Sequence, residues 1–222
     1  MALLATARPH PLADELRLLD RLPHPALLVD PGGIILHAND AWEQFARENG
    51  GGEFVAGAAL IGTRWLDHVS GEWPRRLHEV LLERAARRAG AGPRGGAIQL
   101  AECNTPTTAR LVATHLEPVL GPGRMVASVA VSHRLVRQRP IAEVYPPVDA
   151  PGSRWTREDG TVEQCSCCRR VRRPDAEELL DPWEFAPGLV AEPPPGTRFV
   201  YCALCLELHH PAGAGAGADG AL

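Results

Sequence analysis

Apolar positions in the first third of the chain change their spacing twice, and each change marks an element. Leu12, Leu16, Leu19 and Leu22 recur three to four residues apart, which places them on one stripe of a helix over 12–22. Pro23-His24-Pro25 breaks that period. Two short apolar runs follow, at 26–30 and 34–38, with Pro31-Gly32-Gly33 between them. Such a turn folds consecutive strands into a hairpin, and Gly33 is expected to take a positive φ there. Asn39 or Asp40 can cap a helix over 41–48, which Asn49-Gly50-Gly51-Gly52 stops. A loop with Trp65 and Leu66 leads into a longer helix over about 72–89. Leu77, Val80, Leu81 and Ala85 form its expected buried stripe, with arginines on the outer face. Strands are predicted at 97–102, 110–120 and 125–133, the last two joined by Gly121-Pro122-Gly123. Strands, helices and then strands, without regular alternation, indicate an α+β fold. The expected form is a five-stranded antiparallel sheet with helices on one face.

Beyond residue 134 the periodicity is lost and Pro140, Pro146, Pro147 and Pro151 appear, so 135–161 reads as a linker. The tail, Gly213 to Gly220, alternates Gly and Ala and reads as disordered. The expected organisation is a flanking helix (1–22), a first domain (23–134), the linker (135–161), a small module (162–211) and the tail (212–222).

That module carries the strongest chemical signal. Cys165 and Cys168 form one Cys-x-x-Cys pair, and Cys202 and Cys205 form a second. Two cysteines at this spacing can turn both sulfurs to one point, so two pairs supply the four thiolates of a closed tetrahedral zinc site. Cys167 lies inside the first knuckle and could stand in for Cys165 or Cys168, although the spacing favours 165 with 168. A redox exchange between Cys167 and a ligand is a further alternative, and Cys103 reads as a small buried hydrophobe. Two disulfides are the rival account. They need an oxidising compartment, and Met1–Pro9 has only a short apolar run with no basic residue ahead of it. No uninterrupted apolar stretch of about 18 residues occurs, so the expectation is a cytoplasmic protein without a membrane span.

Charge narrows the partners. The 23 basic residues, all arginine, nearly balance 27 acidic ones, which argues against a general nucleic-acid binder. Arg169, Arg170, Arg172 and Arg173 follow the first knuckle and offer a partner surface, with Asp175, Glu177, Glu178, Asp181, Glu184 and Glu192 close behind to pair with them. No phosphate loop, nucleophile elbow or His-Glu-x-x-His helix is present, so no catalytic residue is assigned and no enzyme is expected.

Several residues together point to a family. The run 22–46, with Asp30 and Gly33 in the turn, Asn39 at the next helix and Trp42 within it, resembles the opening of a PAS domain. Cys103-Asn104-Thr105-Pro106 is similar to a Cys-His-Ser-Pro stretch of one bacterial PAS subgroup, and 129–133 resembles the last PAS strand. After it, Cys165-Ser-Cys-Cys-Arg-Arg-Val-Arg172, Trp183 and Phe199-Val-Tyr-Cys-Ala-Leu-Cys205 resemble a zinc-ribbon-like tail that follows PAS domains in some bacterial signalling proteins. The tail departs from that pattern: the His-Gly before the second knuckle is missing, and Pro193-Pro194-Pro195 intervenes.

The resemblance implies a sensor or adaptor that binds zinc and acts through protein contacts, with a homodimer surface on the PAS-like domain. Haem would need an axial ligand such as His78 or His68, and a flavin adduct would need a Cys in the helix after Asn39. Neither cofactor is expected. The alternatives are a transcription-related nucleic-acid binder that uses the zinc module, and a small-molecule enzyme with its pocket in the PAS-like domain.

Overall fold

A computed structural model of the protein describes residues 11–48, 57–69, 71–87, 96–176 and 181–209. The chain forms two compact units. One takes Met1–His68, Glu79–Ile98 and Thr114–Arg134, and the other takes Val69–His78, Gln99–Ala113 and Leu135–Leu222.

The larger sheet consists of β1 (Ala26–Val29), β2 (Ile35–Ala38), β3 (Ala97–Glu102), β4 (Thr108–Leu120) and β5 (Val126–Pro140), in the order β2-β1-β5-β4-β3. It is a PAS-like five-stranded antiparallel sheet. The β1–β2 turn closes as its residues require. Asp30 Oδ1 accepts from Ile34 N–H at 2.8 Å, and Gly33 sits at φ 87°. A Cβ at Gly33 would also stand 3.1 Å from Leu82 Cδ2, so the position excludes side chains on two counts.

β1 is buried throughout, between two layers. Ala26 and Leu28 pair with Ser132 and Ala130 of β5, and Leu27 and Val29 pair with Val131 and Val129. The first face receives α1 (Pro11–Asp20), whose Leu16 and Leu19, with Leu22, pack on Ala26, Leu28, Val119 and Ala130. The second face also carries His133, because side chains alternate along β5. The Trp42 ring of α2 (Asp40–Glu48) lies 5.8 Å from that imidazole. Two further helices, α3 (Gly57–Leu60) and α4 (Glu72–Arg87), complete the order before β3.

Asn39 joins these pieces. It is buried, and its Oδ1 accepts from the N–H groups of Ala26 and Trp42, each at 3.0 Å. Its Nδ2 donates to the carbonyls of Leu19 at 3.1 Å and His24 at 3.0 Å. One amide therefore caps the start of α2, satisfies a carbonyl at the end of α1 and anchors the first residue of β1.

The second unit has a four-stranded sheet, β8-β7-β6-β9, of β6 (Glu163–Cys165), β7 (Val171–Arg172), β8 (Trp183–Glu184) and β9 (Arg198–Val200). β6 runs parallel to β9 and antiparallel to β7. Trp155, Val162, Val171 and Ala186 form one small core, and Ala109, Ile141, Phe185 and Val190 form another. Glu184 holds Trp155 Nε1 at 3.0 Å and takes a bidentate pair from Arg154 at 2.7 and 2.8 Å. Two helices complete the unit, α5 (Pro187–Ala191) and α6 (Ala203–His209).

Two expectations need correction. Residues 135–161 are not a free linker. β5 runs on to Pro140, Ile141 N–H bonds Thr107 C=O at 2.9 Å, and Trp155 is buried. The strand extension hid itself because 134–140 is exposed on both faces and so has no apolar alternation. In α4 the buried stripe is Leu81, Leu82 and Ala85, with Pro74 in the first turn, whereas Val80 is exposed. The helix is rotated so that Leu82 meets Gly33. Leu12's side chain, the predicted stop at 49–52 and the tail at 212–222 lie outside the described residues.

Removing the Asn39 amide tests this account. Asn39→Ala loses a cap and leaves buried backbone groups unpaired, a cost of about 2–4 kcal/mol. Asn39→Asp keeps both acceptor bonds but loses both donor bonds, so its cost should be smaller. Urea unfolding followed by the fluorescence of Trp42 and Trp65 measures both. Equal costs would show that the donor bonds contribute all of the stabilisation.

Candidate metal centre

Each knuckle follows a strand. β6 delivers Cys165, and the chain then reverses: Arg169 N–H bonds Cys165 C=O at 3.1 Å, and Cys165 N–H bonds Arg170 C=O at 2.8 Å. The reversal needs a left-handed residue, and Arg169 provides it at φ 66°. β9 delivers the second pair, and the first turn of α6 brings Cys205 back over Cys202, with Leu206 N–H on Cys202 C=O at 2.9 Å. Ser166 N–H bonds Val200 C=O at 2.7 Å and ties the knuckles side by side.

The result is a group of four buried sulfurs. Those of Cys165, Cys168, Cys202 and Cys205 all lie within 4.8 Å of one another. A tetrahedral ion with sulfurs at about 2.3 Å sets them about 3.8 Å apart, and Cys168 Sγ stands 3.8 Å from Cys202 Sγ. A disulfide would close that gap to about 2.05 Å. The residues fit a thiophilic divalent cation. Backbone donors already face the sulfurs, Cys202 N–H to Cys165 Sγ and Cys205 N–H to Cys202 Sγ, each at 3.5 Å. Hydrogen bonds among the four thiols hold Cys202 well below the ordinary thiol range and push Cys168 and Cys205 above it. A cation bound among the sulfurs would displace thiol protons.

Cys167 does not join the four. It accepts from Glu102 N–H at 3.1 Å and donates to Glu102 C=O at 3.4 Å, which fastens the knuckle to the end of β3. Cys103, just past the end of β3, is exposed and also stands apart, so its expectation as a buried hydrophobe is corrected.

The arginine run divides among separate tasks. Arg170 is buried, and its guanidinium donates to Cys168 Sγ and Cys202 Sγ, each at 3.5 Å. The same group pairs with Asp181 and lies over the Tyr145 ring at 5.1 Å. Burial alone would lower its pKa, but the hydrogen bonds to Cys168 and Asp181 raise it above the ordinary arginine value. Arg169 covers the Phe199 ring at 5.3 Å. Arg172 pairs with Glu163, and Arg173 pairs with Asp175 and Glu184. The acidic residues close by in sequence are the reason: folding brings several of them onto these guanidiniums.

Sequence reasoning missed the outer ring of the site. Tyr145 donates to both Glu102 oxygens at 2.8 and 2.9 Å, and Asn104 donates to Glu102 at 2.8 Å and to Cys168 C=O at 2.9 Å. Burial and the Glu102 carboxylate push the Tyr145 phenol up, so it stays a donor. Tyr145 lies 43 positions from Glu102 and Asn104 lies 64 from Cys168, and no local spacing rule reports them. His78 is occupied with Pro74 C=O at 2.7 Å, and His68 with Thr63 Oγ1 at 2.8 Å. Among the described residues no helix is long and apolar enough to cross a membrane.

No family model matches the chain, and no curated protein matches it. Among solved structures it is similar to the PAS domain of BvgS from Bordetella pertussis, at 20% identity and a TM-score of 0.44, over 58% of this chain and 88% of that one. It is similar to a sensory box sensor histidine kinase from Vibrio cholerae, at 14% identity and a TM-score of 0.38, over 56% and 89%. A third is the LOV protein of Rhodobacter sphaeroides, at 16% identity and a TM-score of 0.38, over 57% and 68%.

Four thiolates around a divalent cation leave an excess of negative charge, which Arg170 is placed to offset. Arg170→Gln should keep the bound ion but loosen it by roughly tenfold to a hundredfold. The rate of metal transfer to a chromogenic chelator measures this. An unchanged rate would reduce Arg170 to a packing role.

Proposed function

We propose that the protein is a signalling sensor or adaptor in which a PAS-like domain is followed by a structural zinc module, with output through protein contacts. The observation that carries this reading is the closure of the sulfur group. All four positions come from buried cysteines, so a tetrahedral ion there keeps no open position for water or substrate. Zinc is the ion named because sulfur-only tetrahedral sites favour it, and an iron–sulfur centre is the other common occupant.

The PAS resemblance of 22–46 and the strand order support the sensory part. Exposed apolar side chains support output by contact: Ile98 and Leu100 on edge strand β3, and Leu204, Leu206 and Leu208 on α6. A homodimer is the simplest such assembly. The intramolecular partners of the 169–173 arginines favour protein contacts over nucleic-acid binding.

A structural role makes metal binding part of folding, worth on the order of 10 kcal/mol. Cys168→Ser or Cys202→Ser should therefore abolish zinc binding and expose the amides of 162–209 to rapid hydrogen exchange. The amides of β1 should stay protected. Lowering the pH should do the same to the unaltered protein, since thiolates must be protonated as zinc leaves. If either variant kept 162–209 protected and lost a catalytic turnover instead, the structural reading would fail.

A further inference from the structure

β5 outlasts its neighbour. It pairs with β1 from Val129 to Ser132, and His133 N–H makes one further bond on that side, to Pro25 C=O at 2.8 Å. The strand then runs on to Pro140. In the order β2-β1-β5-β4-β3 the neighbour that remains beside it is β4. Among the described residues no isolated bridge reaches 135–140. Alternate backbone N–H and C=O groups of this stretch therefore point away from β4 with no strand to receive them. Residues 135–140 and the end of β4 over 108–113 both belong to the second unit, so the open edge is a feature of that unit.

The side chains make the edge selective. Every residue of 135–140 is exposed, with Leu135 at 56% and Val136 at 55%. Arg137 and Arg139 carry the charge of the stretch, and β5 has no acidic residue over its whole length. Neither arginine forms an ion pair among the described residues, unlike Arg154 and Arg172 of the same unit.

An open edge is a template for another strand, and proteins guard it with charge and proline. Here the guard is of one sign. The antiparallel registers that overlap 135–140 most with a second copy set Arg137 against Arg137 or against Arg139. Like charges directly opposite destabilise a sheet. A strand with acidic residues at those places exchanges the repulsion for cross-strand ion pairs, and Leu135 and Val136 offer apolar contact beside them. Main-chain hydrogen bonds hold an added strand, and its side chains select it.

We infer that 135–140 is a docking edge that receives an extended acidic segment of a partner protein as an added β-strand. The inference rests on the reading that output runs through protein contacts, and it names the surface and the chemistry of the partner.

Fluorescence anisotropy with the full-length, zinc-loaded chain tests this. The probes are two labelled peptides of equal length, one alternating valine with glutamate and the other alternating valine with lysine. The glutamate peptide should bind saturably and slow hydrogen exchange of the 135–140 amides, and the lysine peptide should not bind. Arg137→Glu with Arg139→Glu should weaken the glutamate peptide by roughly tenfold or more and make the lysine peptide the tighter ligand. Both side chains are exposed, so the fold should survive, and unchanged zinc content reports that it does. Arg76→Glu with Arg84→Glu reverses the same charge elsewhere and should change neither affinity. A glutamate peptide methylated at every backbone nitrogen keeps its charge, cannot pair as a strand and should not bind.

Equal binding of the methylated peptide, or equal loss in both double variants, would mean diffuse attraction and would overturn the proposal. A dimer that the glutamate peptide disperses would overturn it in favour of a second copy. Tighter binding of a short single-stranded DNA, falling steeply with salt, would overturn it in favour of nucleic acid. Absence of saturable peptide binding, with zinc content and the protection of 162–209 intact, would overturn the docking edge and leave the sensor or adaptor reading standing.

Discussion

Four thiol sulfurs held within 4.8 Å of one another are the constraint on which the second unit depends. Its own hydrophobic cores are small groups around Trp155 and Phe185, and modules of this kind seldom fold on apolar burial alone. The sulfurs join the ends of β6 and β9, strands that lie parallel and are 33 or more residues apart in sequence. A bound cation would make that pairing cooperative, because each knuckle supplies half of its ligands. Around the sulfurs, Arg170 brings positive charge, and Cys167, Asn104 and Tyr145 fix the knuckle to the end of β3. Each of these side chains is committed at both ends, so the ring is a continuous hydrogen-bonded frame.

The first unit solves the equivalent problem without metal. Asn39 uses its carbonyl oxygen and amide together to close α2, α1 and β1 on one another. Asparagine suits the position because its carbonyl oxygen accepts while its amide nitrogen offers two donors. The Asp30–Gly33 turn then fixes the β1–β2 hairpin, so two short polar stretches set the geometry of a largely aliphatic sheet.

The fold was legible in the sequence wherever burial is one-sided or turn chemistry is specific. β3 falls where its apolar pattern places it, Asn39 and Gly33 act as their types suggest, and the two Cys-x-x-Cys pairs converge. Legibility ended where tertiary contacts decide. The 134–140 extension of β5 is exposed on both faces and carries no period. The register of α4 depends on Gly33 meeting Leu82. Nothing local says that Arg170 will be buried against sulfur. Glu102, Asn104 and Tyr145 enter the metal centre from distant segments, so only the folded chain brings them into view.

The central claim is that a single divalent ion sits among four cysteine sulfurs in a closed shell. X-ray absorption at the zinc edge of protein purified with its native metal addresses it directly. The account predicts four sulfur neighbours at about 2.3 Å and no oxygen or nitrogen in the first shell. A shell containing oxygen or nitrogen, or metal-free protein with sulfur pairs bonded at about 2.05 Å, would contradict it.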